Sequence, residues 1–293
     1  MIELHKYSGA GNTFVVLDGR SEDVSSFQRP SVISDLCKRF GTDGLMILGA
    51  DAEADFSMEF YNPDGTGGMM CGNGGRCIVA FVDSLGIRPA DGKLYRFRAP
   101  DGPHEAEILS RSDGRLTVRL KMIDVHEFYP VLDGWFVNTG TRHFVKFVPD
   151  ADVVDVESEG RRLRWDEAFA PIGANVNFVS VDLDGTLRVR TFEKGVEGET
   201  LACGTGITAS ALAAYLSGNP MREAPGPVAA HGHMNGRGPT SGWEGWSEAE
   251  GNGSLMHGVA YNIQARIDRL RVEFTPGDGR FTDVYLTGPA EEL

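Results

Sequence analysis

Positive charge is scarce in this chain: 28 lysines and arginines stand against 42 aspartates and glutamates, a formal net charge of −14. Nucleic-acid binders neutralise phosphates with Lys and Arg, and anionic membranes attract the same residues, so the balance excludes both partners. Long apolar runs are missing as well, which excludes a transmembrane helix. The opening residues, MIELHKYSGAGNTF, lack a basic segment followed by an apolar core, and the expectation is a cytoplasmic protein without a secretory signal. Cysteine is rare, with only Cys37, Cys71, Cys77 and Cys203. In a chain of this size without an export signal, free thiols are expected rather than disulfides. Cys71 and Cys77 are spaced too widely for a zinc-ligand pair, and no nucleotide signature is present, so neither metal nor cofactor is expected.

Two of those few cysteines share one setting. Cys71 lies in GGMMCGNGGRC and Cys203 in ETLACGTGITAS, 132 positions apart. Each is followed by glycine, a small polar residue and glycine, then by a helical run. The surroundings repeat too. Asn62 in EFYNPDG precedes Cys71 by nine residues, and Glu193 in RTFEKGV precedes Cys203 by ten. Asn12 in KYSGAGNTFVV lies 59 positions before Cys71, and His143 in VNTGTRHFVKF lies 60 before Cys203. A shared order of turn, polar residue, strand and cysteine corner predicts two similar domains facing each other.

Ile78, Val82 and Leu85 have helical spacing, and Gly86 provides the stop. The second corner opens an Ala-rich run ending at Gly218, suited to a helix packed tightly inside a sheet. A shorter helix is expected near Ser31–Phe40. KLYRFRA, RLTVRLK, ANVNFVSVD and TLRVRTF read as strands, giving a strand-dominated α/β chain with one main helix per half. From about 217 to 261 the sequence is rich in Gly, Pro and Ser without periodicity, and reads as a surface insertion. Its His231, His233 and His257 are taken as solvated loop histidines, and Trp243 and Trp246 as pins for the loop.

A cysteine at a helix N-terminus meets the positive end of the helix dipole and unpaired amides, which favour its thiolate. The glycines let an anionic ligand approach those amides. Two such corners facing across a cleft would hold one carboxylate and place a sulfur on each side of the neighbouring carbon. That arrangement suits inversion of a stereocentre: one thiolate removes the α-proton and the opposite thiol returns a proton. Amides aimed at the carboxylate would meet the developing charge. A thiol-switch protein and a non-catalytic amino-acid binder are the alternatives from other classes.

These residues resemble the diaminopimelate epimerases, cofactor-independent isomerases of lysine and peptidoglycan biosynthesis. The resemblance lies in GAGN at 9–12, NPDG at 62–65, MCGNGGRC at 70–77, NVNF at 175–178, GETLACGTG at 198–206 and the closing TGPAE. It implies two pseudo-symmetric α/β (α+β) domains, each a mostly antiparallel curled sheet around a central helix, with the active site between them. The first would span 1–131 with about 280–293, and the second 132–279. It further implies Cys71 and Cys203 as the acid/base pair, with His143 and Glu193 beside them. Asn12, Asn62, Gly72, Asn73, Asn175, Gly204 and Thr205 would bind a small amino-acid substrate, and a homodimer would be the assembly.

Departures fall on the far end of the substrate. Thr13 stands where the family has an acid, FGTDG at 40–44 is two residues shorter than the family loop, and Thr141 and Arg142 replace Asn and Pro. Lys194 stands where an Arg is usual, and Lys cannot make a bidentate fork; Arg142 is the candidate to supply it. Another amino acid is therefore the alternative substrate.

Overall fold

The computed structural model describes residues 2–67, 71–219, 222–223 and 258–293. Strands β1 (His5–Gly9) and β2 (Asn12–Asp18) form a hairpin, and helix α1 (Pro30–Phe40) leads to β3 (Leu45–Gly49) and β4 (Phe56–Tyr61). Helix α2 (Gly72–Ser84) follows, then β5 (Leu94–Ala99), β6 (Gly102–Ser112) and β7 (Arg115–Lys121). The second run holds β8 (Phe128–Val131), β9 (Gly134–Asn138), β10 (Arg142–Phe147), α3 (Val156–Arg164), β11 (Asn175–Val181), β12 (Leu187–Glu193) and β13 (Gly198–Thr200). Helix α4 (Gly204–Leu216), β14 (Arg222–Glu223), β15 (Val259–Gln264), β16 (Arg269–Gly277) and β17 (Arg280–Glu292) complete it.

The repeat seen in the sequence is also a repeat of topology. β1–β2 and β9–β10 are antiparallel hairpins. β2–β3 and β10–β11 are parallel, with α1 and α3 as the crossovers such pairs require. β3–β4 and β11–β12 are antiparallel. β4–β5 and β12–β15 are again parallel, bridged by α2 and α4. The antiparallel ladders β5–β6–β7 and β15–β16–β17 end each run. β17 then joins the two, pairing with both β7 and β1.

Both corner helices lie inside this mostly antiparallel framework. Strands β1, β2, β3, β7 and β17 pack on α2, while β9 to β12 and β15 to β17 pack on α4. α2 is buried continuously from Gly72 to Val82, and α4 at nearly every position from Gly204 to Ala214. A helix buried all round cannot afford bulky residues throughout, which accounts for the run of Ala, Gly and Ser in α4. Gly86 and Gly218 take positive φ just past the helix ends, as the sequence predicts.

Helix α3 goes beyond the expected one main helix per half. Its signals are local: Asp155 caps Ser158 N at 3.1 Å, Glu157 and Glu159 occupy the first turn, and Arg161, Arg162 and Arg164 the last. α3 covers a separate apolar cluster that includes Phe136, Phe144, Phe169, Phe178 and Phe192. The expected loop roles of His231, His233, Trp243, Trp246 and His257 lie outside the described residues.

Candidate active site

Cys71 and Cys203 are the N-cap residues of α2 and α4, both with extended backbone. The first helical bonds, Gly75 N to Cys71 O at 2.7 Å and Ile207 N to Cys203 O at 2.8 Å, leave the N–H groups between them without helical acceptors. The two helix starts meet head to head. A Cβ added to Gly204 would lie 3.6 Å from Gly72 Cα, an ordinary contact distance, so the two glycines lie side by side. Asn73 ties them together: its Nδ2 donates to Ala202 O at 2.8 Å and lies 3.4 Å from Asn12 Oδ1. Asn12 Oδ1 is also 3.8 Å from Cys71 Sγ. Its hairpin turn, with positive φ at Ala10 and Gly11, is what turns Asn12 back toward that corner. Beneath, fully buried Arg76 donates to Asn73 Oδ1 at 2.9 Å, to Gly72 O at 3.2 Å and to Pro289 O at 3.3 Å.

On the opposite side, Cys203 Sγ lies 3.4 Å from Thr205 Oγ1, which lies 3.0 Å from His143 Nε2. Thr141 Oγ1 is 2.9 Å from the same ring nitrogen. Asn175 Nδ2 donates to Thr141 Oγ1 and to Arg142 O, both at 3.1 Å, and Asn175 Oδ1 accepts from Lys194 N at 2.7 Å. The registers explain this convergence, because His143 on β10 pairs with Asn175 on β11, and Val176 pairs with Phe192 next to Glu193. His143, Thr141, Asn175, Thr205 and Cys203 therefore form one connected group.

Three residues lie elsewhere or differently. Arg142 donates from its guanidinium to Phe169 O at 3.1 Å and stacks 5.2 Å over Phe136, so its head group is engaged by the apolar cluster under α3. Asn62 sits on the turn after β4, with Nδ2 donating to Thr66 Oγ1 at 3.0 Å. Thr13, where an acid was missed, receives one from another loop. Asp43 Oδ2 accepts from Thr13 N at 2.8 Å and from Thr13 Oγ1 at 3.3 Å. Asp43, Arg76, Asn177 and Thr191 belong to the surroundings of the site although sequence reasoning did not name them. Only the i, i+2 spacing of Asn175 and Asn177 on one strand face could have pointed to the third.

The electrostatics differ from the sequence expectation. Burial pushes both thiols up in pKa, and the helix-end amides with their neighbours oppose this without reversing it. Around Cys71 the opposing groups are the N–H of Gly74 and of Asn73 and the Arg76 charge; around Cys203 they are the Thr205 hydroxyl and the Gly206 N–H. The Glu193 charge raises both further, and Cys71 raises Cys203, so the pair resists double ionisation. Burial also raises Glu193 itself, with Asp43 adding to the effect. His143 is pushed down to about 3 by burial and then by the Lys194 charge, and is neutral at ordinary pH. All four cysteines are free; Cys37 and Cys77 are buried core residues. No group of metal-binding side chains occurs among the described residues.

The fold is one that solved structures share. A phenazine biosynthesis protein of the PhzF family from Bacillus anthracis superposes with a TM-score of 0.68 at 13% identity, covering 100% of this chain and 97% of that one. A probable proline racemase from Agrobacterium radiobacter, solved with bound carbonate, gives 0.63 at 17% identity over 100% and 91%. Sequence narrows this further. The diaminopimelate epimerase family model matches residues 4–122 and 135–232. The diaminopimelate epimerase of Flavobacterium psychrophilum is 34% identical, covering 99% of this chain and 97% of its own length. That of Chlorobaculum tepidum is 43% identical over 72% of this chain and 82% of its own. The chain belongs to the diaminopimelate epimerase family.

Proposed function

We propose that this protein is an isomerase that interconverts LL- and meso-diaminopimelate, with Cys71 and Cys203 as its two acid/base groups. The observation that carries the reading is the head-to-head meeting of two helices that each begin at a cysteine. The converging helix ends, each worth about half a positive charge, favour a carboxylate held at the N–H groups of Gly72, Asn73, Gly204 and Thr205.

In the reacting complex one sulfur holds a proton and the other, having lost its proton to solvent, does not; the mutual repulsion of the pair excludes ionisation of both. The thiolate takes the α-proton, breaking Cα–H and forming S–H. The carbanion, its charge spread onto the bound carboxylate, takes the proton of the opposite thiol and emerges inverted. The cysteines have exchanged roles and the proton count is unchanged. Glu193 and His143 flank the pair, Asn12 orients Cys71, and Thr141 and Asn175 frame the Cys203 side. Lys194 supplies the positive charge for the distal carboxylate, as a point charge in place of a fork; Asn62 contributes to binding from its turn.

The substrate is a free amino acid, the assembly a homodimer and the compartment the cytoplasm in this reading; among the described residues no helix is long and apolar enough to cross a membrane. Incubation with LL- or meso-diaminopimelate in D2O is expected to place deuterium at the α-carbon and to equilibrate the isomers. Exchange with a different amino acid alone would keep the reaction and replace the substrate. No exchange with any α-amino acid would overturn the function.

A further inference from the structure

The hydrogen-bond partners of His143 decide which way its protons point. Asn177 is fully buried between β10 and α4, and Thr191 faces it across the β11–β12 ladder. Asn177 Nδ2 lies 3.2 Å from Phe144 O and 3.1 Å from His143 Nδ1. A carbonyl can only accept, so the amide nitrogen must face Phe144, and its two hydrogens are used up by Phe144 O and by His143 Nδ1. The amide oxygen faces the other way and accepts from Thr191 Oγ1 at 2.9 Å. With Nδ1 occupied as an acceptor, the hydrogen of the neutral ring is on Nε2, aimed at Thr141 Oγ1 and Thr205 Oγ1. That leaves the Thr205 hydroxyl hydrogen free to point at Cys203 Sγ, 3.4 Å away.

We infer that Asn177, held by Thr191, is a positioning residue that fixes His143 as a hydrogen-bond donor, so that His143 supports the Cys203 thiolate through Thr205 instead of taking its proton. The inference rests on the two-cysteine reading and deepens it. Cys203 needs no third group to receive its proton, since in each turnover a sulfur surrenders its proton to the substrate carbon. Gly206 fits the same device. A Cβ there would lie 2.4 Å from Asn177 Oδ1, so the residue whose N–H faces Cys203 must be glycine for Asn177 to reach the ring. The charged group whose field falls on His143 is Lys194, which reinforces the neutral ring.

The test is nitrogen-15 NMR of the full-length protein with labelled histidine, combined with kinetics of Asn177→Leu, Thr191→Val and Thr191→Ser. The wild-type protein is expected to show His143 as a neutral ring with hydrogen on Nε2, unchanged from about pH 5 to about pH 8, the range in which an ordinary histidine titrates. Asn177→Leu should release the ring to the other tautomer or a mixture. Its kcat should fall about 10- to 100-fold, less than the ~10²–10⁴ ascribed to an acid–base group itself, as suits a residue acting through another, with KM nearly unchanged. Thr191→Val should fall in the same direction and Thr191→Ser should restore the wild-type rate. Hydrogen on Nδ1 in the wild-type ring, or titration of His143 in that range, would overturn the inference even where a variant fails to fold. So would full kcat in folded Asn177→Leu. The spectrum is read without substrate, so absence of α-exchange in the wild-type protein would sink the functional reading and leave the tautomer result standing.

Discussion

Gly72 and Gly204, the first residues of the two central helices, stand close enough that a methyl group on Gly72 would lie 3.8 Å from Gly204 Cα. The two cysteine corners are thus close neighbours, which yields a prediction. In Gly204→Ala the new methyl meets Leu286 Cδ2 at 3.1 Å, which must shift by a few tenths of an ångström, and touches Asn73 Oδ1 at 3.6 Å beside the amides assigned to the carboxylate. Overpacking costs about 1–3 kcal/mol, while alanine's helix preference offsets up to about 1 kcal/mol. Kinetics is therefore the sharper measurement: KM for the amino acid should rise severalfold while denaturant unfolding shifts only slightly.

His143 makes stability depend on acid. Its folded pKa of about 3 lies below the ordinary value of 6.5, so below that value the unfolded chain binds a proton that the folded one refuses. The resulting stability is present above about pH 6.5 and is lost as the pH falls toward 3, by up to a few kcal/mol in total. Urea unfolding at pH 7 and pH 5 should show the loss, and His143→Gln should flatten it.

The cysteines act at the other end of the scale. Burial raises their folded pKa, so above the ordinary thiol value of about 8.5 the unfolded chain sheds protons that the folded chain keeps. Stability contributed by the buried, protonated thiols is full below that value and declines as the pH rises past it. Melting curves at pH 8 and pH 10 should diverge less in Cys203→Ala than in the wild-type protein.

Lys194 and Arg142 separate by kinetics. Lys194→Met should raise KM for diaminopimelate about tenfold or more, since it removes the charge assigned to the distal carboxylate, with a smaller effect on kcat. Lys194→Arg should retain most of the affinity. Arg142→Ala should chiefly lower stability, by about 1 kcal/mol, because its guanidinium is engaged by Phe136 and Phe169 O. A large KM effect from Arg142→Ala, with none from Lys194→Met, would reverse the assignment.

The framework was legible because its signals are local. The apolar spacing of Ile78 and Val82, the Gly stops at 86 and 218, and the twofold Cys-Gly-polar-Gly pattern each act within a few residues. The links inside the site are not local. Asp43 answers Thr13 only through the β2–β3 register, and Thr191 meets Asn177 only through β11–β12. The thiol pKa direction was hidden for a similar reason: a helix end is visible in sequence, but the burial that outweighs it comes from strands far along the chain. Arg142 reads as a free fork until Phe169, 27 residues on, is seen beneath it.

Single replacement of each cysteine tests the central claim most directly. Cys71→Ala and Cys203→Ala, each checked for folding by circular dichroism, are incubated with LL-diaminopimelate in D2O and followed for α-deuterium and for the meso isomer. The two-base arrangement predicts that either change lowers isomerisation by about a thousandfold or more, within the range ascribed to acid–base groups. Isomerisation within about tenfold of the wild-type rate in either folded variant would contradict it.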